Sequence, residues 1–312
     1  MASGCRLCPR GCGVDRTTGG GFCGAADTLE VASVCVHRGE EPPLNPIVNV
    51  FFAHCNLQCI YCQNWQISGK GERLKVKGER YTIETLADLI VSHLSPLTSH
   101  LSPLLGLVTA SHYAHHIPAL LDAVHQRGFT PTVVYNSSGY ESVETLRSLE
   151  GLVDIYLPDF KYMDAGIAKA YSHAPDYPDI ASAALREMIR QVGKGLKVDG
   201  NGTAYRGLIV RHLVLPGHVD NSLAVLDHLA DLTDSSLQTF NQSSNLHLSL
   251  MAQYYPPLPG LPAPLDRTLT PDEYAAVVSR AEELGLTAGW IQELDARNNY
   301  RPDFNQQNPF EK

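Results

Sequence analysis

The sequence predicts an α/β fold: a partial (β/α)6-type, TIM-like barrel with an N-terminal Cys-rich metal-binding segment. Three observations carry that expectation. From Ile47 onward, short apolar runs alternate with segments of helical spacing, and repeated β–α units imply a parallel sheet with right-handed crossovers. The 312 residues are long for an ordinary domain and normal for one α/β barrel. Hydrophobic residues make up 44% of the chain, which is enough for a sizeable core. Six or seven β–α units fit an incomplete barrel.

The organisation follows in order. Residues 1–44 read as a Cys-rich segment, 45–295 as the barrel and 296–312 as a polar tail. Residues 4–24 are dense in Cys and Gly and lack an apolar period, so a metal or the following domain must order them. Residues 47–53 form the first strand. Residues 82–93 have helical spacing, with Thr82 as N-cap. A strand at 106–109 precedes a helix at 117–127, which Gly128 ends. Strand 132–136, helix 142–149 and strand 153–157 come next. Helix 180–192, strand 208–215, helix 222–232 and strand 246–250 continue the pattern. A helix at 272–284 starts at Thr270-Pro271 and stops at Gly285; residues 287–291 form one more strand. A tandem copy, SHLSPLT at 92–98 and SHLSPLL at 99–105, reads as a loop insertion without function, since Ser-Pro breaks helix geometry. Residues 256–264 are a Pro-rich loop, and the tail after Tyr300 is expected to pack poorly.

The net charge of −9 and pI near 5.8 argue against a nucleic-acid binder, which would show a basic field. No stretch reaches the roughly 18 apolar residues of a membrane span. The N-terminus has no apolar signal region, so the expectation is a cytoplasmic protein without a membrane partner. In that setting eight cysteines suggest metal ligands before disulfides.

Seven of the eight fall in two clusters. Cys55, Cys59 and Cys62 read C-x3-C-x2-C straight after the first strand, and barrel enzymes place function at strand ends. Three thiolates are one short of the four that close an iron–sulfur cubane, which leaves one iron open. A zinc knuckle with His54 as fourth ligand competes, although adjacent His54 and Cys55 fit one tetrahedron poorly. Upstream, Cys5-x2-Cys8-x3-Cys12-x10-Cys23 supplies four thiols. Four ligands close a site for an Fe–S cluster or for zinc, and spacing leaves both open. Cys35 reads as a plain thiol.

The run Cys55-x3-Cys59-x-Tyr61-Cys62 resembles the signature of the radical S-adenosylmethionine (radical SAM) superfamily. More narrowly, the chain resembles homologues of pyruvate formate-lyase activating enzyme with a Cys-rich N-terminal segment. The stretches that carry this include Cys5-Arg6-Leu7-Cys8-Pro9-Arg10, Cys62-Gln63-Asn64, Tyr135-Asn136, Asp159-Phe160-Lys161-Tyr162, Arg211-His212-Leu213-Val214-Leu215-Pro216-Gly217 and Met251-Ala252-Gln253-Tyr254. The resemblance implies a [4Fe-4S] cluster whose open iron is chelated by S-adenosyl-L-methionine. It further implies one-electron cleavage to methionine and a 5′-deoxyadenosyl radical that abstracts hydrogen. A one-electron donor such as flavodoxin or ferredoxin is implied, as is a protein substrate, a glycine of a glycyl radical enzyme. An enzyme of the same superfamily acting on another protein or small molecule, and a non-enzymatic metal-binding protein, are the alternatives.

The resemblance also implies cofactor-contacting positions at Tyr61, Thr109, Ser111 and His112. The usual Gly-Gly-Glu is absent there, Ala110 stands where Pro is expected, and the Gly39-Glu40-Glu41 run is not that motif. Asn136 and Ser138 would meet ribose or substrate; the plainer reading is turn chemistry. Asp159 and Lys161 resemble a pair lying near the cofactor's carboxylate and ribose, where an ammonium gains a charge-assisted bond; a surface ion pair is plainer. Arg211 and His212 share a strand, so only one can point inward. Arg211 suits carboxylate binding. Gln253 and Tyr254 end another strand, and no catalytic residue is assigned.

Overall fold

The computed structural model describes residues 4–69, 74–76, 78–97, 103–234, 245–299 and 301–311. Its strands are β1 (Leu29–His37), β2 (Ile47–Phe52), β3 (Glu79–Tyr81), β4 (Leu104–Val108), β5 (Thr132–Ser137), β6 (Ile155–Pro158), β7 (Lys197–Val198), β8 (Ala204–Leu213), β9 (His247–Met251) and β10 (Gly289–Ile291). Its helices are α1 (Trp65–Ser68), α2 (Ile83–Leu94), α3 (Ile117–Gln126), α4 (Val143–Ser148), α5 (Ala165–Ser172), α6 (Tyr177–Val192), α7 (Val219–Asp234) and α8 (Pro271–Glu283).

The sheet order is β10-β9-β8-β6-β5-β4-β2-β1-β3, with β7 paired to β8. The segment from β2 to β10 is parallel throughout. Parallel neighbours follow chain order without reversal. Right-handed crossovers therefore put every connecting helix on one face and leave the other as an interior. The sheet does not close; β10 and the antiparallel β3 are its two edges. The fold is α/β with an open, mostly parallel sheet.

Alternation along the strands divides the two faces. Val48, Val50 and Phe52 of β2 face the helices, as do Leu105, Leu107, Leu208 and Val210, within one large core. Ile47, Leu104, Val134, Ile155 and Ile209 form a second cluster on the inner face, joined by Leu44. Leu44 belongs to a 3-10 turn, Pro42–Leu44, so the turn between β1 and β2 floors the interior. One level above, Asn49 pairs in register with Gly106. A Cβ at Gly106 would sit 1.9 Å from Asn49 Oδ1, so only glycine admits that amide.

The capping chemistry agrees with the sequence. Thr82 accepts a bond from Thr85 N in a capping box at α2, and Thr270 does the same with Glu273 at α8. Helix α6 begins at Tyr177 and α7 at Val219, each three residues before its expected start. Two elements were not expected, and one expectation is corrected. β1 lies within the predicted Cys-rich segment yet pairs with β2, so the sheet begins at Leu29. α5 went unread, although Asp164 caps it by accepting from Ile167 N. The tail packs: Phe304 is buried, and its ring centroid lies 5.4 Å from that of Phe51. Of the tandem copy, residues 98–102 lie outside the described residues; Ser95–Leu97 continues α2 as a 3-10 turn.

Candidate functional site

A cavity of about 310 Å³ runs from the C-terminal strand ends down to the β1–β2 turn. Cys55, Cys59 and Cys62 share its lining with Tyr61, Thr109, Asn136, Ser138, Asp159, Lys161 and Arg211. The sequence named all ten. Pro302 and Phe310 of the tail line it as well.

The cysteine loop leaves β2 through two left-handed residues, His54 (φ 74°) and Gln58 (φ 55°). Such backbone is uncommon outside glycine and clusters at functional sites. The turn at His54 sends its ring away from the cavity. Its Nε2 lies 2.7 Å from Glu30 and its Nδ1 3.3 Å from the Gly69 carbonyl. His54 is therefore not a fourth ligand. Burial pushes the Cys55 thiol up to about 12, and the nearby Cys59 and Cys62 thiols push it further. Cys62 rises to about 11 for the same reasons, burial first. Among the described residues no three thiols have sulfurs within 4.8 Å of one another. A tetrahedral zinc would hold them about 3.8 Å apart, given Zn–S near 2.3 Å. A cubane spaces its thiolates more widely because each binds a different iron. At least one pair of the three sulfurs therefore lies farther apart than a zinc tetrahedron would hold it. Across the cavity lining, Ser138 Oγ is buried without a hydrogen-bond partner among the described residues, a vacancy a polar ligand would fill.

The remaining predicted residues divide. Lys161 Nζ lies 2.5 Å from Asp159 Oδ2. Burial would lower the Lys161 pKa, but Asp159 and the Cys59 thiol hold it well above its ordinary value. Tyr61 Oη lies 2.5 Å from Tyr162 Oη, and its ring meets Tyr171 and Tyr254 edge-on. Thr109 is left-handed (φ 57°) and turns the chain, so the two residues beyond Ala110 leave the cavity. Ser111 donates to Glu141 Oε1 at 2.5 Å. His112 Nε2 lies 2.8 Å from the Ala53 carbonyl, and burial lowers its pKa to about 3, so the ring is neutral. His112 therefore braces the root of the cysteine loop, Ser111 is tied to Glu141, and neither lines the cavity.

Arg211 points inward, and His212 points outward to the Phe160 carbonyl and Ser222. The guanidinium is not free for a cofactor carboxylate. It donates to Glu41 at 2.8 and 2.6 Å and to Glu40. Burial opposes its charge, yet the two carboxylates hold it charged well above its ordinary range. Glu40 also accepts from Asn49 Nδ2 at 2.9 Å. The floor thus carries two carboxylates against one guanidinium. Sequence reasoning set Glu40 and Glu41 aside; their partner lies 170 residues away, and only β8 register reveals it. Gln63 and Gln292 were also missed. They flank Gln253 in a chain of amide bonds of 2.8 and 2.9 Å along the lining.

No family model matches the chain. It is 28% identical over 285 residues to "Uncharacterized protein MJ0674" of Methanocaldococcus jannaschii, covering 90% of this chain and 75% of that protein. Among solved structures it is similar to HydG, a maturase of the [FeFe]-hydrogenase, with TM-score 0.48 and 10% identity. That match covers 79% of this chain and 52% of HydG, so the chain spans about half of HydG's length. QueE from Escherichia coli aligns with TM-score 0.40 and 11% identity, over 83% of this chain and 91% of QueE.

The second cysteine set also converges. Cys8 senses the thiols of Cys23 and Cys5, and Cys23 those of Cys5 and Cys12. Burial raises Cys8 to about 12 and raises Cys23 as well. A Cβ at Gly21 would lie 2.4 Å from Cys12 Sγ, so glycine leaves room for that thiol. Cys12 is exposed and Cys8 and Cys23 are buried. Cys35 stands apart, buried against Phe51 and Val108. Among the described residues no helix is long and apolar enough to cross a membrane.

Proposed function

We propose that this chain is a radical SAM enzyme. The observation that carries the reading is the three-thiol wall of the cavity, from which His54 turns away, with polar groups on the same lining. Cys55, Cys59 and Cys62 would hold a [4Fe-4S] cluster, which supplies one-electron cleavage of the S-adenosylmethionine sulfonium at its open iron. The chain's residues do the rest. Lys161, kept charged by Asp159, offers an ammonium to a carboxylate. Ser138 Oγ and Asn136 offer polar contacts at the end of β5. Tyr61, Tyr162, Tyr171 and Tyr254 wall the cysteine loop with aromatic rings and keep water from its inner side. Arg211, Glu40 and Glu41 hold the floor rigid.

The test is anaerobic reconstitution with iron and sulfide, reduction by dithionite, and chromatography for 5′-deoxyadenosine after addition of S-adenosylmethionine. Product is expected. Its absence from protein that carries a reduced cluster by electron paramagnetic resonance would leave a metal-binding protein without this activity. The finer reading is that the target is a glycine in a partner protein, as in the activating enzymes the sequence resembles. Deuterium transfer from a labelled glycyl radical enzyme into 5′-deoxyadenosine tests it. Label arriving from a different protein or a small molecule assigns the other substrate class.

A further inference from the structure

The two cysteine sets are not independent neighbours. Arg10 lies between Cys8 and Cys12 in sequence and reaches across the boundary. It donates through Nε to the Asn56 carbonyl at 2.9 Å and through Nη2 to the Ser172 carbonyl at 2.9 Å. Its remaining nitrogen reaches the His173 carbonyl. Its guanidinium also lies over the Phe22 ring at 3.9 Å. Asn56 follows Cys55, and Ser172 Oγ itself donates to Cys59 Sγ at 2.9 Å. A second link is shorter still. Gln58 Nε2 donates to the Phe22 carbonyl at 2.5 Å, and the residues next in sequence are Cys59 and Cys23. One hydrogen bond and a few covalent bonds therefore join a ligand of each set. Left-handed Gln58 is the loop residue turned toward the N-terminal segment to make it.

Within the four-thiol set Cys12 meets solvent while Cys8 and Cys23 are buried. Here too no three sulfurs among the described residues lie within 4.8 Å of one another, whereas a zinc tetrahedron would hold all four about 3.8 Å apart. A structural zinc would need neither a solvent-facing ligand nor a bonded link to the other set. We propose that Cys5, Cys8, Cys12 and Cys23 hold an iron–sulfur cluster that serves as the electron entry to the three-thiol site, with Gln58 and Arg10 as the residues that couple the two. This rests on the radical SAM reading. The cluster would accept one electron from a reduced low-potential protein donor near Cys12, and Cys23, Phe22 and Gln58 would link it to the Cys59 side, where the electron would be consumed in breaking the sulfonium carbon–sulfur bond. The donor is oxidised by one electron and the sulfonium reduced by one; no atom moves between the two sites.

Two experiments test this. The full chain carrying Cys55→Ala, Cys59→Ala and Cys62→Ala together is reconstituted anaerobically and its iron, sulfide and zinc are counted. About four iron and four sulfide per chain are expected, with a paramagnetic signal after dithionite. Zinc with no iron would overturn the proposal and leave 5′-deoxyadenosine formation by the wild type untouched. The second experiment uses Gln58→Gly, which keeps the positive φ and removes the bond. Reduction by limiting dithionite is followed by rapid freeze-quench paramagnetic resonance. The wild type is expected to show electrons arriving first at the four-thiol cluster and then at the other. The variant is expected to lose the fast second phase with its iron content unchanged. An unaltered second phase in both Gln58→Gly and Gln58→Gly/Arg10→Leu would overturn the coupling role, whether or not the enzyme cleaves its cofactor.

Discussion

The three-thiol loop and the four-thiol segment solve the same problem, holding thiols in place, by different means. The loop is anchored at both ends by the barrel: β2 before it, the braced His112 below it, and a tyrosine cluster around it. The segment at 4–27 has no strand or helix of its own among the described residues. It is tied down by polar contacts such as Thr145 Oγ1 to the Leu7 carbonyl (2.7 Å) and the reach of Arg10. Packing can preform a site with an open position. A site closed by four ligands can leave its own ordering to the metal, because binding energy becomes folding energy there.

The largest expected effect separates the two by chemistry. Cys59→Ala should reduce 5′-deoxyadenosine to background while the far-ultraviolet circular dichroism stays that of the wild type, since the barrel orders the loop without its metal. A protein that unfolds on this change would erase the contrast. Next comes the barrel's floor. Arg211→Met leaves Glu40 and Glu41 buried together without their cation, and urea unfolding should show a loss of about 3–5 kcal/mol. Adding Glu40→Gln and Glu41→Gln should recover most of that.

Acid probes the same barrel. Burial lowers the His212 pKa from 6.5 to about 4. A depressed base contributes stability above the unfolded value of 6.5 and loses it as pH falls toward 4. The shift corresponds to at most about 3 kcal/mol. His212→Gln should flatten that part of the pH–stability curve, measured by urea midpoints between pH 7 and 4. The smallest effect belongs to the segment. Arg10→Ala should lower its local opening free energy by about 1–3 kcal/mol, read as faster amide exchange at residues 4–24 with the strands of the barrel unchanged. Equal acceleration in both regions would show that they unfold as one unit.

Much of this arrangement was legible in the sequence for a simple reason. Parallel strands buried on both faces and amphipathic helices leave strong periodic traces, so β2, β4 to β6 and β8 to β10 were all expected. Cys55, Cys59 and Cys62 follow β2, and the family resemblance singled out Asp159, Lys161 and Asn136 at the ends of β6 and β5. What escaped depends on long-range register or on a single dihedral. Nothing local distinguishes Thr109 from Ser111 and His112, yet the positive φ at Thr109 sends the latter two away. Glu40 and Glu41 sit in an irregular turn, and their role exists only once β8 brings Arg211 beside them. Phe304 and Phe310 are isolated apolar residues in a polar tail, which periodicity cannot weigh.

The turn beneath the sheet has one more consequence. Because Leu44 and its apolar neighbours seal the interior from below, the cavity is a well with a stopper. A group seated against Arg211, Glu40 and Glu41 would lie beneath whatever occupies the strand ends, so depth in the well sorts what each group can touch.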